Sequence, residues 1–145
     1  MKIYRHTQIG WLVLVLLGIG ILLTGYFGFL YLNWTALSVF GVFVICIILF
    51  ASLSVIVNDK SIEIRFGVGL IKKKFNLGEI ELCTVVRNCW WYGWGIRKIP
   101  KGWLFNVSGL DAVELTMRNG KVYRIGTDEP QKLGKFIQGN LNEEK

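Results

Sequence analysis

Six basic side chains, Lys72, Lys73, Lys74, Arg97, Lys98 and Lys101, are the groups in this sequence best placed to do binding chemistry. What they offer is capture of anions, above all lipid headgroups. Beside an anionic leaflet each such residue is worth roughly 1 kcal/mol of attraction. The plainer reading is that they are solvated strand residues. A second set is aromatic: Trp90, Trp91, Tyr92 and Trp94, with Trp103 close behind and glycines between. Amphipathic rings of this kind favour the headgroup zone of a membrane. They also suit a partner surface, or can plug the end of a β-barrel.

Catalysis finds no comparable support. Ser108 has no histidine near it in the second half of the chain, and a nucleophile without a base is inert. The single histidine, His6, stands before the first long apolar stretch. Gly67-Val68-Gly69 and the following lysines lack the spacing of a phosphate loop and lead into a strand. Cys46, Cys83 and Cys89 form no CxxC pair, which argues against a zinc site and for reduced thiols. Asn33-Trp34-Thr35 and Asn106-Val107-Ser108 are chance glycosylation sequons. No enzyme, cofactor or metal is expected.

The elements that must position these residues fall into two blocks. From Thr7 to Asn58 there is no charged residue, yet the chain carries a net charge of +7. Ile9 to Leu32 would make about 36 Å of helix, enough to cross a bilayer core of roughly 30 Å. Residues 36–53 repeat the pattern after a polar turn at Asn33-Trp34-Thr35. The expectation is a transmembrane hairpin over 9–53, with helices at 9–32 and 36–53. A stretch this long is unlike the short apolar region of a cleaved signal peptide. Residues 1–8 would be a cytoplasmic N-terminus. Lys2 and Arg5 before the hairpin, and Lys60, Arg65 and Lys72 to Lys74 after it, place both chain ends in the cytoplasm. Gly20, Thr24 and Gly28 form a small-residue stripe that allows close packing, either against the second helix with Gly41 opposite or at a dimer seam. Neither helix carries a charge at depth, so a transport role is not expected.

After the hairpin the period changes. Ser61 to Phe66 alternates as a half-buried strand, and strands are also expected at Leu53–Val57, Leu70–Leu77, Ile80–Arg87, Trp103–Ser108, Ala112–Arg118 and Lys121–Gly126. Asn119-Gly120 signals a hairpin with a type I′ turn. Asp128, Pro130 and Gln131 open a helix whose Leu133, Phe136, Ile137 and Leu141 make one apolar stripe. The architecture expected is an α-hairpin followed, over 54–145, by an antiparallel β barrel or sandwich with a C-terminal helix.

Four blocks carry a more specific likeness: Trp94-Gly95-Ile96-Arg97, Gly102 to Gly109, Ala112 to Leu115 and Arg124 to Pro130. Their order and spacing resemble a group of small bacterial membrane proteins with a pleckstrin-homology-like domain. The resemblance implies two orthogonal sheets closed by a C-terminal helix and a bacterial inner-membrane location. It implies little about activity. The function expected is a non-catalytic, membrane-anchored module that associates with membrane lipids. The alternative is a scaffold that binds itself or another membrane protein. A membrane anchor explains the basicity without nucleic acid.

Overall fold

The computed structural model describes residues 3–143; Lys2 and the remaining terminal residues lie outside them. The chain opens with a strand, β1 (Tyr4–Ile9), then two apolar helices, α1 (Trp11–Tyr31) and α2 (Trp34–Phe50). Eight further strands follow: β2 (Ser52–Val57), β3 (Ser61–Phe66), β4 (Ile71–Asn76), β5 (Ile80–Arg87), β6 (Gly95–Ile99), β7 (Gly102–Asn106), β8 (Asp111–Met117) and β9 (Val122–Gly126). Helix α3 (Pro130–Glu143) closes the chain.

The order of these elements corrects the expected boundaries. In place of a separate N-terminus over residues 1–8, Tyr4 to Ile9 pair antiparallel with β2, from Tyr4 opposite Val57 to Ile9 opposite Ser52. The helical hairpin is therefore an insertion between two adjacent strands. Gly10 N–H donates to the Ala51 carbonyl at 2.8 Å and carries the ladder to the first turn of α1. Helix α1 is shorter than expected at both ends, α2 starts two residues earlier and stops three residues earlier than expected, and the sandwich resumes at Ser52 rather than 54.

Strands β1 to β4 form one sheet in chain order, and the other five form a second with the order β5-β8-β9-β7-β6. One pairing in that second sheet departs from the antiparallel expectation: β7 runs parallel to β9. The chain leaves β7 through Val107–Leu110 and crosses the end of β9 to start β8. Asn106 fixes that crossing, since its amide donates to the Gly109 carbonyl at 3.0 Å and its Oδ1 accepts from Ser108 N–H at 3.2 Å. Close approach is bought with glycine at both ends of the parallel pair. A Cβ on Gly102 would collide with the Val122 carbonyl, and one on Gly126 with the Asn106 amide.

The two sheets face each other as a sandwich. Leu53, Ile62, Ile64 and Phe66 from the first meet Phe105, Val113, Leu115 and Ile125 from the second, all buried. Burying each such side chain stabilises the fold by about 1.5–3 kcal/mol. Leu133 and Ile137 of α3 join this core. Polar contacts tie α3 in place: Gln138 donates to the Cys83 carbonyl at 2.9 Å, and Tyr4 on β1 donates to Glu129 at 3.3 Å. Burial and the Glu129 carboxylate push the Tyr4 hydroxyl well above its ordinary pKa. His6, the single histidine, lies 2.5 Å from Asp128. That pairing uses the carboxylate expected to cap α3. Glu129 takes the cap position instead, its carbonyl accepting from Leu133 N–H at 3.0 Å.

The β8–β9 hairpin forms where Asn119-Gly120 places it, but with another turn. Gly120 N–H donates to the Met117 carbonyl, and Gly120 is the residue with positive φ, at 80°. This is a three-residue loop, a type I turn closed by a glycine bulge.

Candidate membrane interface

Because the helical hairpin grows from one end of the sandwich, the structure has a hairpin end and a far end. Strand register assigns each loop to one of them. Phe66 pairs with Leu53, so the turn Gly67–Leu70 lies at the hairpin end, and Gly67 packs against the last carbonyls of α2. Asn106 and Asp111 flank the crossing loop, and Gln8 donates to the Ser108 carbonyl in it at 2.9 Å. Gly95 pairs with Asn106, so the aromatic segment Trp90–Trp94 is at the hairpin end too.

That aromatic segment is held by a polar anchor without a local sequence signal. Arg124 donates to Glu114 at 2.6 Å and to the Asn88 side chain at 3.1 Å, while Asn88 N–H donates to the Leu110 carbonyl at 2.7 Å. Residues 90–92 then make one 3₁₀ turn, ended by Gly93 with φ at 68°. Trp90 and Trp91 stand out 70% and 67% exposed and meet edge to face at 6.1 Å. Val68 and Leu70, on the neighbouring turn, are 71% and 73% exposed. Trp11 at the start of α1 is exposed as well.

The sequence candidates do not form one site. Tyr92 is half-buried and lies within the 3₁₀ turn. Trp103 pairs with Lys98 and sits beside Tyr123, towards the far end. Lys101 is on the far turn joining β6 and β7. Strand alternation also splits the lysine run. Lys72 and Lys74 lie opposite Arg65 and Glu63 on the outer face of the first sheet. Lys73 lies opposite buried Ile64, on the inner side, with its ammonium about 6 Å from the rings of Phe75 and Tyr123. On the outer face Glu63 is held below the usual carboxylate range, first by the hydrogen bond from Arg65 and then by the charges of Arg65, Lys72 and Lys74. All three lysines also guard an edge strand, where charge deters pairing with another chain.

The Gly20, Thr24 and Gly28 stripe faces the chain's own second helix. A Cβ on Gly20 would meet the Phe43 ring at 2.5 Å, and one on Gly28 would meet Leu37 at 3.1 Å. Thr24 donates back to the Gly20 carbonyl at 2.7 Å. Gly41, expected opposite the stripe, has nothing within 4 Å; bulky Leu37, Phe40 and Phe43 fill the seam instead.

The cysteines supply a direct check on this arrangement. Cys89 is exposed at the root of the aromatic turn, whereas burial pushes the Cys83 thiol up to about 12. A maleimide is expected to modify Cys89 readily in the folded protein and Cys83 only after unfolding, read by mass spectrometry of the labelled peptides. Equal labelling would contradict the packing of α3 over β5.

Fold and site together define a β-sandwich with a C-terminal helix, into whose first β-hairpin an apolar helical hairpin is inserted. Among the described residues one helix, Trp11–Tyr31, is long and apolar enough to cross a membrane, with a mean hydropathy of 2.3 over an 18-residue window. Comparison with family models, curated proteins and solved structures returned no match.

Proposed function

We propose that the chain is a multi-pass protein of the bacterial inner membrane whose pleckstrin-homology-like sandwich rests on the cytoplasmic leaflet as a non-catalytic module for anionic lipid. The observation that carries this reading is the collar at the hairpin end. Val68, Leu70, Trp90, Trp91 and Trp11 all project there, exposed, around the base of the two apolar helices. At the opposite tip Tyr31 and Trp34 are exposed too. Two aromatic belts separated by the roughly 30 Å length of α1 match the two interfaces of a bilayer.

Helix α2 spans as well in this reading. Its 17 residues make about 25 Å of helix, at the short end of what crosses a hydrocarbon core. It follows α1 after a turn at Leu32-Asn33 and returns to β2 beside β1, so it retraces the same slab. The tip is uncharged while Arg5, Lys60, Arg65 and Lys72 lie on the sandwich side, which places that side in the cytoplasm. The four-strand meander, second sheet and closing helix support the pleckstrin-homology-like likeness, and the parallel β7–β9 pair departs from it. The scaffold reading loses its helix-face support, since the small-residue stripe is occupied within the hairpin.

The test uses the full chain in liposomes with and without anionic lipid. Changing Lys72, Lys73 and Lys74 together to Glu is expected to reduce quenching of the collar tryptophans by headgroup-brominated lipid. The effect should appear in anionic vesicles only and shrink with added salt, as screened attraction requires. Unchanged quenching in anionic vesicles would refute the lysine contribution.

A further inference from the structure

A groove of about 680 Å³ lies between the base of the helical hairpin and the aromatic segment. Its size falls within the roughly 300–1,000 Å³ typical of small-molecule sites. One wall is helix: Leu12, Leu16 and Leu17 of α1 with Cys46 and Phe50 of α2. The other is Trp90, Trp91, Trp94, Ile96 and Arg97 from the sandwich. The lining is thus apolar along its length, with one cation.

Arg97 differs from its neighbour on the same sheet face. The register runs Arg97, Leu104, Arg124, Glu114 across four strands, which puts both arginines on one face. Arg124 is committed to Glu114 and Asn88. Arg97 has no carboxylate partner among the described residues; its Nε donates to the Trp94 carbonyl at 3.3 Å, leaving its terminal nitrogens available. The guanidinium lies directly beside Gly93, where a Cβ would stand in van der Waals contact with it at 3.7 Å. The indole N–H of Trp94 is a second donor, buried without a hydrogen-bond partner among the described residues. Buried donors of this kind are uncommon and call for an acceptor. Trp94 stands between Gly93 and Gly95, both at positive φ, and is itself half-buried.

We propose that this groove binds one anionic glycerophospholipid, with an acyl chain along Leu12 and Leu16 and the phosphate on Arg97. The Trp94 N–H completes the headgroup contacts when the ring tilts towards the bound lipid. An apolar channel ending in a single guanidinium matches a molecule with an apolar chain and one phosphate, and fits free phosphate poorly. Leu12 and Leu16 are themselves exposed on α1, so the groove opens onto the helix surface that the proposed topology sets in lipid. The inference rests on that topology. It differs from the lysine-mediated association in being stoichiometric and in lying on another sheet.

The experiment is native mass spectrometry of the full chain released from detergent micelles supplied with phosphatidylglycerol, phosphatidylcholine or inorganic phosphate. One phosphatidylglycerol per chain is expected to survive release. Arg97→Gln should lower its occupancy at least about tenfold, the scale of one charge-assisted hydrogen bond. Trp94→Phe should lower it less, and both variants should keep the thermal transition of the parent. The triple Lys72, Lys73, Lys74 change to Glu should leave occupancy intact while weakening vesicle contact, so the groove and the lysine surface fail separately. Equal retention of phosphatidylcholine, retention unaffected by Arg97→Gln, displacement of the lipid by inorganic phosphate, or no retained lipid would each overturn the proposal.

Discussion

Replacing Gly67 with alanine is expected to destabilise the protein by about 3 kcal/mol or more, well above the usual effect of one substitution. Two costs coincide there. Gly67 holds φ at 50°, a left-handed conformation that costs an L-residue roughly 1–2 kcal/mol. A Cβ would also drive into the Ile48 carbonyl and stand 2.7 Å from the Leu49 carbonyl oxygen. Both are backbone atoms, so the end of α2 would have to move. Movement there breaks further contacts, because Gly67 N–H donates to Ser52 at 2.8 Å and Phe50 packs edge to face on Phe66 at 5.8 Å. Gly69 is the control. Its φ is 87°, but a Cβ there would meet only the side chains of Arg65 and Lys72 at 3.9 Å. Gly69→Ala should therefore show the conformational cost alone, about 1 kcal/mol. Denaturant titrations of the two variants in detergent would measure the difference. Equal losses would mean that α2 does not press on this turn.

What could be read from the sequence was what neighbouring residues decide among themselves. The alternation of Ser61 to Phe66 and the 3–4 spacing of Leu133, Phe136, Ile137 and Leu141 each declare a period within a few residues. Strand β1 does not. Tyr4-Arg5-His6-Thr7-Gln8-Ile9 has weak apolar alternation, and its partner lies beyond both helices, with His6 opposite Val55. Nor does Asn-Gly separate a two-residue turn from a three-residue loop with a glycine bulge, because both want glycine at positive φ. The crossing that makes β7 parallel to β9 depends on Asn106 folding back on its own loop. That contact looks the same in sequence as an ordinary polar residue.

The candidate site was legible in kind and misplaced in geometry. The tryptophan cluster is local, so its composition alone marks it, and the structure sets Trp90, Trp91 and Trp94 at one end. Proximity in sequence groups the basic residues, and a strand undoes that grouping: Lys73 must face away from Lys72 and Lys74, and Lys98 away from Arg97. That separation follows from assigning the strands at all. The Arg124–Glu114–Asn88 anchor joins positions that no spacing rule connects, and it emerges only when β8, β9 and the loop after β5 are in place.

The second large effect concerns what the sandwich needs in order to fold. A fragment of residues 53–145 is expected to lack a cooperative transition, because it omits β1. It would uncover the full hydrogen-bonding edge of β2 and lose buried Tyr4 and Gln8, with the Gln8 bond to Ser108. Losing a strand of six residues from a domain stable by about 5–15 kcal/mol leaves little margin, and an open flat edge invites aggregation. By contrast, exchanging residues 11–50 for Asn-Gly should give a monomeric, water-soluble sandwich. Gly10 N–H already bonds the Ala51 carbonyl, and a two-residue type I′ turn closes a hairpin on a pair bonded in that way. The exchange forfeits Phe50, whose packing on Phe66 is the main core contact that the hairpin supplies. A moderate loss of stability is therefore expected, with cooperativity retained. Size-exclusion chromatography and thermal melts of the two proteins would decide the matter. If the fragment without β1 melts as cooperatively as the exchanged chain, β1 is an ornament on the sheet. If the exchanged chain fails to fold, the helices brace the sandwich as well as anchor it, and membrane insertion becomes a step in its folding.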